Sequence, residues 1–547
     1  MNKIINYTLI FFCMIYASSL FAQNNVTLPD TVGINIPNKD KIYHAKKIKS
    51  GEIKLDGVLD ESDWIVAEKA ANFHLVTPVD TGFAKQQSEV MMTYNDKDLY
   101  VAIVFYDTIP GKRVAESFRR DFNFSNNDNF LLIFDTFRDQ TNAYTFGMSA
   151  SGALWDGVVT RQGTNLNWDS KMEIEVKNYP DRWITEMKIP FKSIRYPDKS
   201  QVWYANFGRL DLKTMEKSAW APVPRQFPHS SPAYTGILLF DEPLPKPKVN
   251  LSIIPYVSGG YHRNFETNEP ADYKKEFGFD VKVGLTTALN LDLTYNPDFA
   301  QVEVDQQQMN IDRFELFFPE KRQFFLENQD LFSDYGNMLI TPFFSRRIGL
   351  DAPVLAGARL SGMIGNTFRL GFMNMTTDKT SAQPLRNYTV LSMQKELFAR
   401  SNISFMFVNK EYGGKSDLFN RVAAMDINLA SKDNIWKGKV FYHRSFQPGN
   451  LKKQFAQGLS AEYSKRNFEL EFWQNAVGEN YLAETGFVPR RNFVSFNPEA
   501  RYNFVPNKKI TQHGPFLEYE VFYTPDFKKL DHELDMGYQV EFKNHEG

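Results

Sequence analysis

The second half of the chain is dominated by stretches in which apolar and polar residues alternate. The pattern is clearest at residues 277–285 (FGFDVKVGL), 289–296 (LNLDLTYN), 467–472 (NFELEF) and 534–542 (LDMGYQVEF). Because successive side chains of a strand point to opposite faces, each stretch has one apolar and one polar face. Strands of roughly ten residues with this pattern are typical of a transmembrane β-barrel with a wet lumen, although a soluble sandwich or a wide soluble barrel alternates equally well. The repetition predicts an antiparallel outer-membrane-type β-barrel.

The N-terminus has the three-part layout of a secretory signal peptide. A basic start at Lys3 is followed by an apolar run at residues 9–16 and by small residues that end at Ala22. The apolar run is well below the ~20 residues of a membrane-spanning helix, so we expect cleavage after Ala22. Cys13 is the only cysteine and would leave with residues 1–22. The mature chain would then have no disulfide, zinc-thiolate site or cysteine nucleophile.

The composition agrees with a secreted β-protein. Aromatic residues make up 15% of the 547 residues, with 48 Phe and 25 Tyr, and no later apolar run is long enough for a transmembrane helix. A transmembrane β-barrel has this combination, and an aromatic-rich soluble β-protein shares it. The net charge of −2 gives no indication of a nucleic-acid partner.

A proline-rich stretch, DEPLPKPKVN at residues 241–250, divides the chain into two halves. Such a run favours extended polyproline II and predicts a stiff linker. Before it, residues 88–107 and 170–191 each read as two strands joined by an Asn/Asp turn, as in a soluble β-sandwich. The predicted layout is a signal peptide at 1–22, a linker at 23–43, a sandwich at 44–241, a Pro-rich linker at 242–248, and a barrel at 249–547 with a plug-like insertion at 305–335.

The end of the chain does not have the pattern expected of a complete barrel. The final FKNHEG does not finish on an aromatic residue, and the strand at residues 534–542 has no evident return partner. An open edge of this length promotes aggregation. Either this strand closes on the first one or the sequence is a fragment, and we expect a fragment whose barrel is incomplete at the C-terminus.

Four segments of the first half resemble family 9 carbohydrate-binding modules and their relatives. They are IKLDGVLDESDW at 53–64, FRRDFNFSNNDNFLLIFDTFRD at 118–139, YTFGMSASGALWDG at 144–157 and WITEMKIPFKSI at 183–194. The resemblance covers residues 44–240. It implies a β-sandwich that holds a saccharide between aromatic faces.

A second resemblance lies in the other half of the chain. NPDFAQVEVDQQQMNIDRFELFFPEKRQFFLENQDLF at 296–332, followed by FFSRRIG at 343–349, resembles the signature of the outer-membrane barrel family catalogued as domain of unknown function 5916. Members often follow a module of the first type and usually continue with further strands. The family has no assigned reaction, so this resemblance implies an architecture without an activity. The predicted fold is all-β, with a sandwich of carbohydrate-binding-module type followed by a barrel that holds a short helical plug.

A saccharide site needs exposed aromatic rings beside side chains that hydrogen-bond hydroxyls. The predicted ligand-binding residues are Trp155 and Trp168, with Arg119, Arg120, Asp121, Asp128 and Arg209 as polar partners. The polar residues of the resembled modules match Arg120, Asp121 and Asp128. The alternative, that the Arg-Arg-Asp cluster is a structural ion-pair network, stays open. The tryptophans expected in the core are Trp64, Trp183, Trp203 and Trp220.

The sequence predicts no cofactor, and calcium is the one metal ion for which it offers candidate ligands. Asp135 and Asp139 could help to hold a calcium ion, because this hard cation prefers oxygen ligands. The two residues are not part of a dense ligand loop.

The stretch at residues 296–332 and the residues that follow it combine acids, arginines and phenylalanines. The predicted plug or lumen residues are Asp298, Glu303, Asp305, Arg313, Glu315, Glu320, Lys321, Arg322, Glu327, Arg346 and Arg347. A structural role predicts that these acids pair with lumen cations, while Phe314, Phe317, Phe318, Phe324 and Phe325 pack a small apolar core. Irregular backbone at membrane depth is tolerated where protein or water covers it. The stretch is therefore predicted to be a plug or constriction.

An enzymatic interpretation of the same acids is weaker. Two of them could be a glycosidase pair at a separation of ~5 Å or ~6.5–9.5 Å. A nearby positive charge lowers the pKa of a carboxylate, so the surplus of arginines disfavours a general acid here. An enzyme is therefore uncertain and not favoured; a hydrolase of O-glycosyl bonds is the form that it would take.

Three functions remain open at this stage. The first is a carbohydrate-binding protein of the cell envelope that serves polysaccharide catabolism. The second is an outer-membrane transport or export component whose sandwich docks a protein partner, and the third is a glycosyl hydrolase. The expected partners are outer-membrane lipid, a saccharide and an envelope protein, and the expected location is the outer membrane with the sandwich in the periplasm.

Overall fold

Thirteen strands in the first half form two packed sheets that share β1. The computed structural model describes residues 37–48, 51–160, 163–166, 168–245, 251–263, 266, 272–286, 288–297, 309–310, 313–365, 367–381, 383–398, 400–449, 451–506 and 509–542. The strands are β1 (Ile42–Lys47), β2 (His74–Thr77), β3 (Ser88–Tyr94), β4 (Asp98–Tyr106), β5 (Asn129–Asp135), β6 (Ala143–Ser149), β7 (Leu154–Thr160), β8 (Gly163–Asn165), β9 (Glu173–Asn178), β10 (Arg182–Pro190), β11 (Val202–Asp211), β12 (Glu216–Ala219) and β13 (Gly236–Phe240).

The strand order in this sandwich explains why β1 belongs to both sheets. One sheet has the order β8-β7-β6-β5-β11-β13-β1, with β12 paired to β11 and β2 paired to β12, and the other has the order β1-β3-β4-β10-β9. The first part of β1 pairs in parallel with β13, and its last two residues, Lys46 and Lys47, pair in parallel with β3. The remaining pairs of the sandwich are antiparallel.

Large aromatic residues fill the space between the two sheets. Trp183 stacks on Phe105 with ring centroids 3.5 Å apart, and Trp203 is also fully buried. The predicted core positions of Trp64, Trp183, Trp203 and Trp220 are confirmed, because each is at most 4% exposed. The single α-helix described in the sandwich, α1 (Ser62–Val66), is held by Glu186, which accepts hydrogen bonds from the Trp64 indole (3.0 Å) and two backbone amides.

The second half forms a sheet of fourteen strands in which each strand pairs antiparallel with the next. The strands are β14 (Leu251–His262), β15 (Asp272–Gly284), β16 (Leu289–Tyr295), β17 (Val354–Ile364), β18 (Phe368–Thr377), β19 (Arg386–Leu397), β20 (Ser401–Tyr412), β21 (Lys415–Ala430), β22 (Trp436–Phe446), β23 (Phe455–Lys465), β24 (Phe468–Val477), β25 (Phe493–Tyr502), β26 (Ile510–Tyr523) and β27 (Lys529–Phe542).

The two faces of this sheet have opposite polarity. In β16, Asn290, Asp292 and Thr294 are buried on the inner face, whereas Leu293 and Tyr295 are exposed on the outer face. The outer face also has an aromatic cluster near one end of the strands: Trp436, Tyr463, Phe468, Tyr502 and Phe504. Aromatic residues of this kind lie at the membrane interface of outer-membrane barrels. The predicted pattern of apolar residues outside and polar residues inside is confirmed for β16, whereas the inner face of β18 to β22 carries apolar residues such as Met375 and Val422 where the plug packs on it.

Among the described residues, no helix is both long and apolar enough to cross a membrane.

The segment between β16 and β17 folds against the inner face of the sheet, and its described residues 313–350 are called the plug. It contains α2 (Gln323–Leu326), α3 (Asp330–Ser333) and a 3-10 turn at Ser345–Arg347. Phe325, Leu331 and Phe332 pack against inward side chains of β18 to β22, such as Met373 and Val408. The predicted helical plug is confirmed as part of the fold, and it packs against the inner face of the sheet.

The predicted phenylalanine core of the plug is only partly formed. Of the five phenylalanines, Phe325 is buried and Phe324 packs at the margin of the core. Phe317 is 45% exposed and contacts Phe344 and Phe487 instead, with ring centroids 5.1 and 5.3 Å away. Leu331 and Phe332 of α3, together with Phe343 from the segment after it, fill the positions next to Phe325.

The sandwich lies at the end of the barrel where the strand connections are short. Tyr234 donates a hydrogen bond to the Asp433 carbonyl in the β21–β22 turn (2.9 Å). Arg466 in the β23–β24 turn forms an ion pair with Asp80 (3.2 Å). The plug enters from the opposite end, because β16 runs away from the sandwich. The sandwich and the plug therefore approach the same lumen from its two ends.

Candidate functional site

The tip of the plug, residues 326–330, reaches the sandwich through the full depth of the barrel. Glu327 pairs with Arg195 of the sandwich (3.6 Å) and with Lys282 of β15, and it accepts a hydrogen bond from Asn290 of β16. The Glu327 and Arg195 side chains are 13% and 11% exposed. One buried carboxylate therefore connects the plug to the sandwich and to the barrel wall.

Two further contacts hold the tip in the same place. Asp330 forms a two-pronged ion pair with Arg369 of β18, with one contact at 3.0 Å. Asn165 of β8 donates a hydrogen bond to the Gln329 side chain (2.8 Å). The tip is clamped between the barrel wall and an edge of the sandwich.

A second ionic cluster fixes the fold of the plug itself. Glu320 is 2% exposed and accepts hydrogen bonds from the Arg322 guanidinium (2.6 and 2.8 Å) and the Ser345 hydroxyl (2.6 Å). Arg322 also donates to the Ile348 carbonyl (2.6 Å). Residues 320–322 are thereby tied to residues 345–348, which closes the plug into a loop.

The remaining predicted plug residues lie nearer the open end. Arg347 pairs with Glu315 (2.6 Å), Arg313 lies 3.5 Å from Asp531 of β27, and Arg346 donates to the Pro319 carbonyl (2.7 Å). Lys321 is half-buried, and its backbone amide donates to Glu320. Three further predicted residues, Asp298, Glu303 and Asp305, lie outside the described residues. Each predicted acid that the structure describes is engaged by a cationic side chain.

A cavity of about 740 Å³, called the lumen cavity, lies between the plug and the wall formed by β21 to β24. Its wall residues include Lys437, Lys439, Glu462, Glu471 and Trp473, and its plug side is lined by aromatic rings. Sequence reasoning missed these wall residues. The signal was present in FELEFW at 468–473, where the alternation puts Trp473 on the charged face of the strand.

The prediction of a solvent-exposed aromatic ring at Trp155 is wrong. Trp155 is only 6% exposed and packs against Phe124, with ring centroids 5.0 Å apart. It is paired across the strands with Gly147, whose missing side chain leaves room for the indole ring. Trp168 is half-buried and lies 5.1 Å from the ring of Tyr144.

Of the predicted polar residues near these tryptophans, Arg120 forms a network of ion pairs with two acids that were not predicted. Arg120 contacts the buried Asp156 (2.6 Å) and Asp169 (2.9 Å). Desolvation by the surrounding protein and the neighbouring Asp156 carboxylate raise the pKa of Asp121 to about 6. Arg119 is exposed, and its backbone amide donates to the Ser117 hydroxyl (3.0 Å). A ligand role for these residues stays a prediction.

Asp128 is not part of that network. Its side chain connects two segments of the chain through hydrogen bonds to their backbone. Its carboxylate accepts hydrogen bonds from the backbone amides of Val114 (2.6 Å) and Leu212 (2.7 Å). The residue is 6% exposed, and burial raises the pKa of its carboxyl. These contacts hold the loop before β5 against the end of β11.

Arg209 is buried inside the sandwich rather than at its surface. Its guanidinium donates to the carbonyls of Gln87 (3.0 Å) and Tyr106 (3.0 Å), contacts Asp211 (3.3 Å) and lies over the Phe105 ring. The residue is 4% exposed. A saccharide cannot reach it without opening the core.

We therefore predict a structural effect for Arg209→Leu. The substitution removes the guanidinium hydrogen bonds to two carbonyls and leaves Asp211 without its cation in the core, which should cost about 3–5 kcal/mol of unfolding free energy. Thermal unfolding of the full chain, followed at the transition of the sandwich, measures this loss. Arg119→Leu on the exposed surface is the control and should change the midpoint little. An Arg209→Leu protein with an unchanged midpoint would contradict the structural role.

The candidate calcium residues form a turn of their own. Asp135 accepts hydrogen bonds from the backbone amides of Asp139 (3.2 Å) and Gln140 (2.7 Å), and Asp139 accepts from Thr141 and Asn142. Within the described part of the chain, no group of three or more His, Cys, Asp or Glu side chains is arranged to hold a metal ion. The calcium site stays a prediction.

The fold and these contacts define a class of protein: a fourteen-stranded sheet of the outer-membrane barrel type that holds an internal plug against its inner face and has a β-sandwich at one end. The chain belongs to the family described as Domain of unknown function (DUF5916), whose model matches residues 247–361 and 364–546. The predicted resemblance to this family is confirmed. A comparison with curated proteins found no match.

Solved structures similar to this chain fall into two groups. A family 9 carbohydrate-binding module from Caldicellulosiruptor kristjanssonii, in complex with cellotriose, is 12% identical, covers 37% of this chain and 94% of its own, and has a TM-score of 0.28. A putative carbohydrate-binding protein from Bacteroides uniformis is 14% identical over 37% of this chain and 99% of its own, with a TM-score of 0.32. OccK11 (OpdR) from Pseudomonas aeruginosa is 8% identical over 76% of this chain and 93% of its own, with a TM-score of 0.28. At these scores the similarity carries no functional weight.

Proposed function

We propose that this protein is a gated channel of the outer membrane in which the sandwich holds the plug closed. The observation that carries the proposal is the position of Glu327, which is paired at once with Arg195 of the sandwich and Lys282 of the barrel. A plug that served only to fill the lumen would need contacts with the wall alone. This contact gives the sandwich a direct means of holding or releasing the plug.

The two faces of the barrel support a place in the membrane. Outward side chains such as Leu293, Met425 and Leu470 are each at least 37% exposed, which is costly in water and favourable in lipid. The aromatic cluster around Trp436 lies near the end that carries the sandwich. An N-terminal domain at the end with short turns is expected in the periplasm. An envelope protein that binds the sandwich could then control the plug.

Conductance across a planar lipid bilayer tests the channel function. The wild-type chain should insert and conduct little, whereas a variant in which residues 313–350 are replaced by a Gly-Ser linker should conduct as an open pore. Heat-modifiable migration on gels serves as the folding control for both proteins. Equal conductance of the two folded proteins would contradict the proposal.

Capture of a glycan by the sandwich is a second candidate function, favoured by the place of Trp168. This residue and Tyr144 line a space of about 80 Å³ that the plug tip closes on its other side. Ligand sites are usually about 300–1,000 Å³, so a saccharide could enter only after the tip withdraws. Glu327→Ala should therefore strengthen binding of oligosaccharides to the full chain, and adding Trp168→Ala should abolish the gain. Binding that is insensitive to both changes would rule out this site.

A further inference from the structure

We propose that the lumen cavity is a binding site for a neutral saccharide, a step that rests on the proposed channel function and names its substrate class. The cavity volume of about 740 Å³ is within the range of roughly 300–1,000 Å³ that is usual for ligand sites. Its lining reaches from Asn165 of the sandwich to Phe317 and Phe344 in the outer part of the plug. The cavity therefore follows the route that a solute would take past the plug.

The two sides of the cavity differ in a way that suits a sugar ring. The plug side presents the aromatic rings of Phe317, which is 45% exposed, and Phe344, which is half-buried. The wall side presents Lys437, Glu462 and the indole ring of Trp473, whose Nε1 donates to Glu471. A pyranose has apolar C–H faces that stack on aromatic rings and hydroxyl edges that exchange hydrogen bonds with charged side chains. An amphipathic cavity of this kind matches both features.

The two lysines of the wall are already paired with carboxylates of the protein, and Glu471 accepts a hydrogen bond from the Trp473 indole. Lys437 pairs with Glu462 (3.0 Å), and Lys439 lies 3.3 Å from Asp334 of the plug and 3.4 Å from Asp426. A charged ligand would have to displace one of these partners and leave it unpaired in a confined site, which is costly. A neutral ligand with many hydroxyls can add hydrogen bonds without breaking the pairs. The charge pattern therefore favours a neutral saccharide over an ionic solute.

Two tryptophans on strands that are separated by β23 make the test selective. Trp473 of β24 faces the cavity, whereas Trp436 of β22 is on the outer face, 53% exposed, with its ring centroid 4.6 Å from that of Tyr463. The purified full chain is titrated calorimetrically with cello-, xylo- and malto-oligosaccharides of four to six units. At least one of these probes should bind, Trp473→Ala should weaken it by about tenfold through the lost stacking, and Trp436→Ala should leave it unchanged.

Further variants keep the test decisive if Trp473→Ala does not fold. Trp473→Phe keeps a stacking face and should lose less affinity than Glu462→Gln combined with Trp473→Phe. Absence of binding for every probe, or equal binding by the Trp473 and Trp436 variants, would overturn the saccharide site. Both results are independent of bilayer conductance. A plug-dependent channel that binds none of the probes would retain the proposed function and lose only this inference.

Discussion

Replacing Glu327 with alanine should open the barrel. The change leaves Lys282 and Arg195 without the carboxylate that they share, and breaking a buried ion pair typically costs about 3–5 kcal/mol. About 3 kcal/mol of lost stabilisation in the closed state alone would shift the closed-to-open ratio by about a hundredfold. We expect bilayer conductance to rise from rare openings to sustained current. The rise should be larger still when Asp330→Ala also removes the pair with Arg369.

The control for this experiment is an ion pair on the same plug but outside the tip. Glu315 pairs with Arg347 at 2.6 Å, yet its side chain is 51% exposed. Exposed pairs contribute little, so Glu315→Ala should leave the conductance near the wild-type level. If the two variants conducted equally, the plug would not be held by the Glu327 contact.

Removal of Glu320 should loosen the plug from within. Glu320→Ala leaves the Arg322 guanidinium and the Ser345 hydroxyl without their common acceptor in a buried setting. The expected cost to local stability is about 3–5 kcal/mol, because a buried charge loses its partner. Hydrogen exchange of residues 313–350 should become faster by about two to three and a half orders of magnitude, since opening free energies convert at 1.4 kcal/mol per tenfold. Peptides from β19 to β21 should keep their protection.

An exposed ion pair on the barrel serves as the control for the Glu320→Ala experiment. Glu411 contacts Arg421 at 3.2 Å, and both side chains are more than two-fifths exposed. Glu411→Ala should change exchange nowhere in the plug. Unchanged exchange of the plug in Glu320→Ala would mean that residues 320–322 are not tied to residues 345–348 through this carboxylate.

Patterns that repeat within a few residues predicted the fold well. The alternation in LNLDLTYN and NFELEF gave both the strands and their outward face, because a strand's side chains are sorted by parity alone. The Asn95 turn of the sandwich was also visible, since the Asn95 side chain accepts hydrogen bonds from the amides of Lys97 and Asp98 (2.8 Å each). The plug was predicted from the density of acids, arginines and phenylalanines between strands.

Contacts between distant parts of the chain account for what the sequence could not predict. Glu327 meets Arg195 and Lys282 only after the plug has crossed the lumen, and nothing near any of the three residues marks them as partners. Trp155 is buried because β6 presents Gly147 opposite it. Arg209 is structural because carbonyls of β4 and of the segment before β3 surround it. Each outcome depends on strand pairing, which a single sequence does not determine.

A reversible crosslink between the sandwich and the plug tip is the most direct test of whether the sandwich keeps the plug closed. Asn165 and Gln329 side chains meet at 2.8 Å, so thiols introduced by Asn165→Cys and Gln329→Cys are within reach of a short bis-methanethiosulfonate reagent. The two cysteine substitutions are introduced into the Glu327→Ala variant, whose plug is expected to be released. Crosslinking should suppress the current, and reduction should restore it in the same membrane. A crosslinked protein that conducts as well as the reduced one would contradict control of the plug by the sandwich.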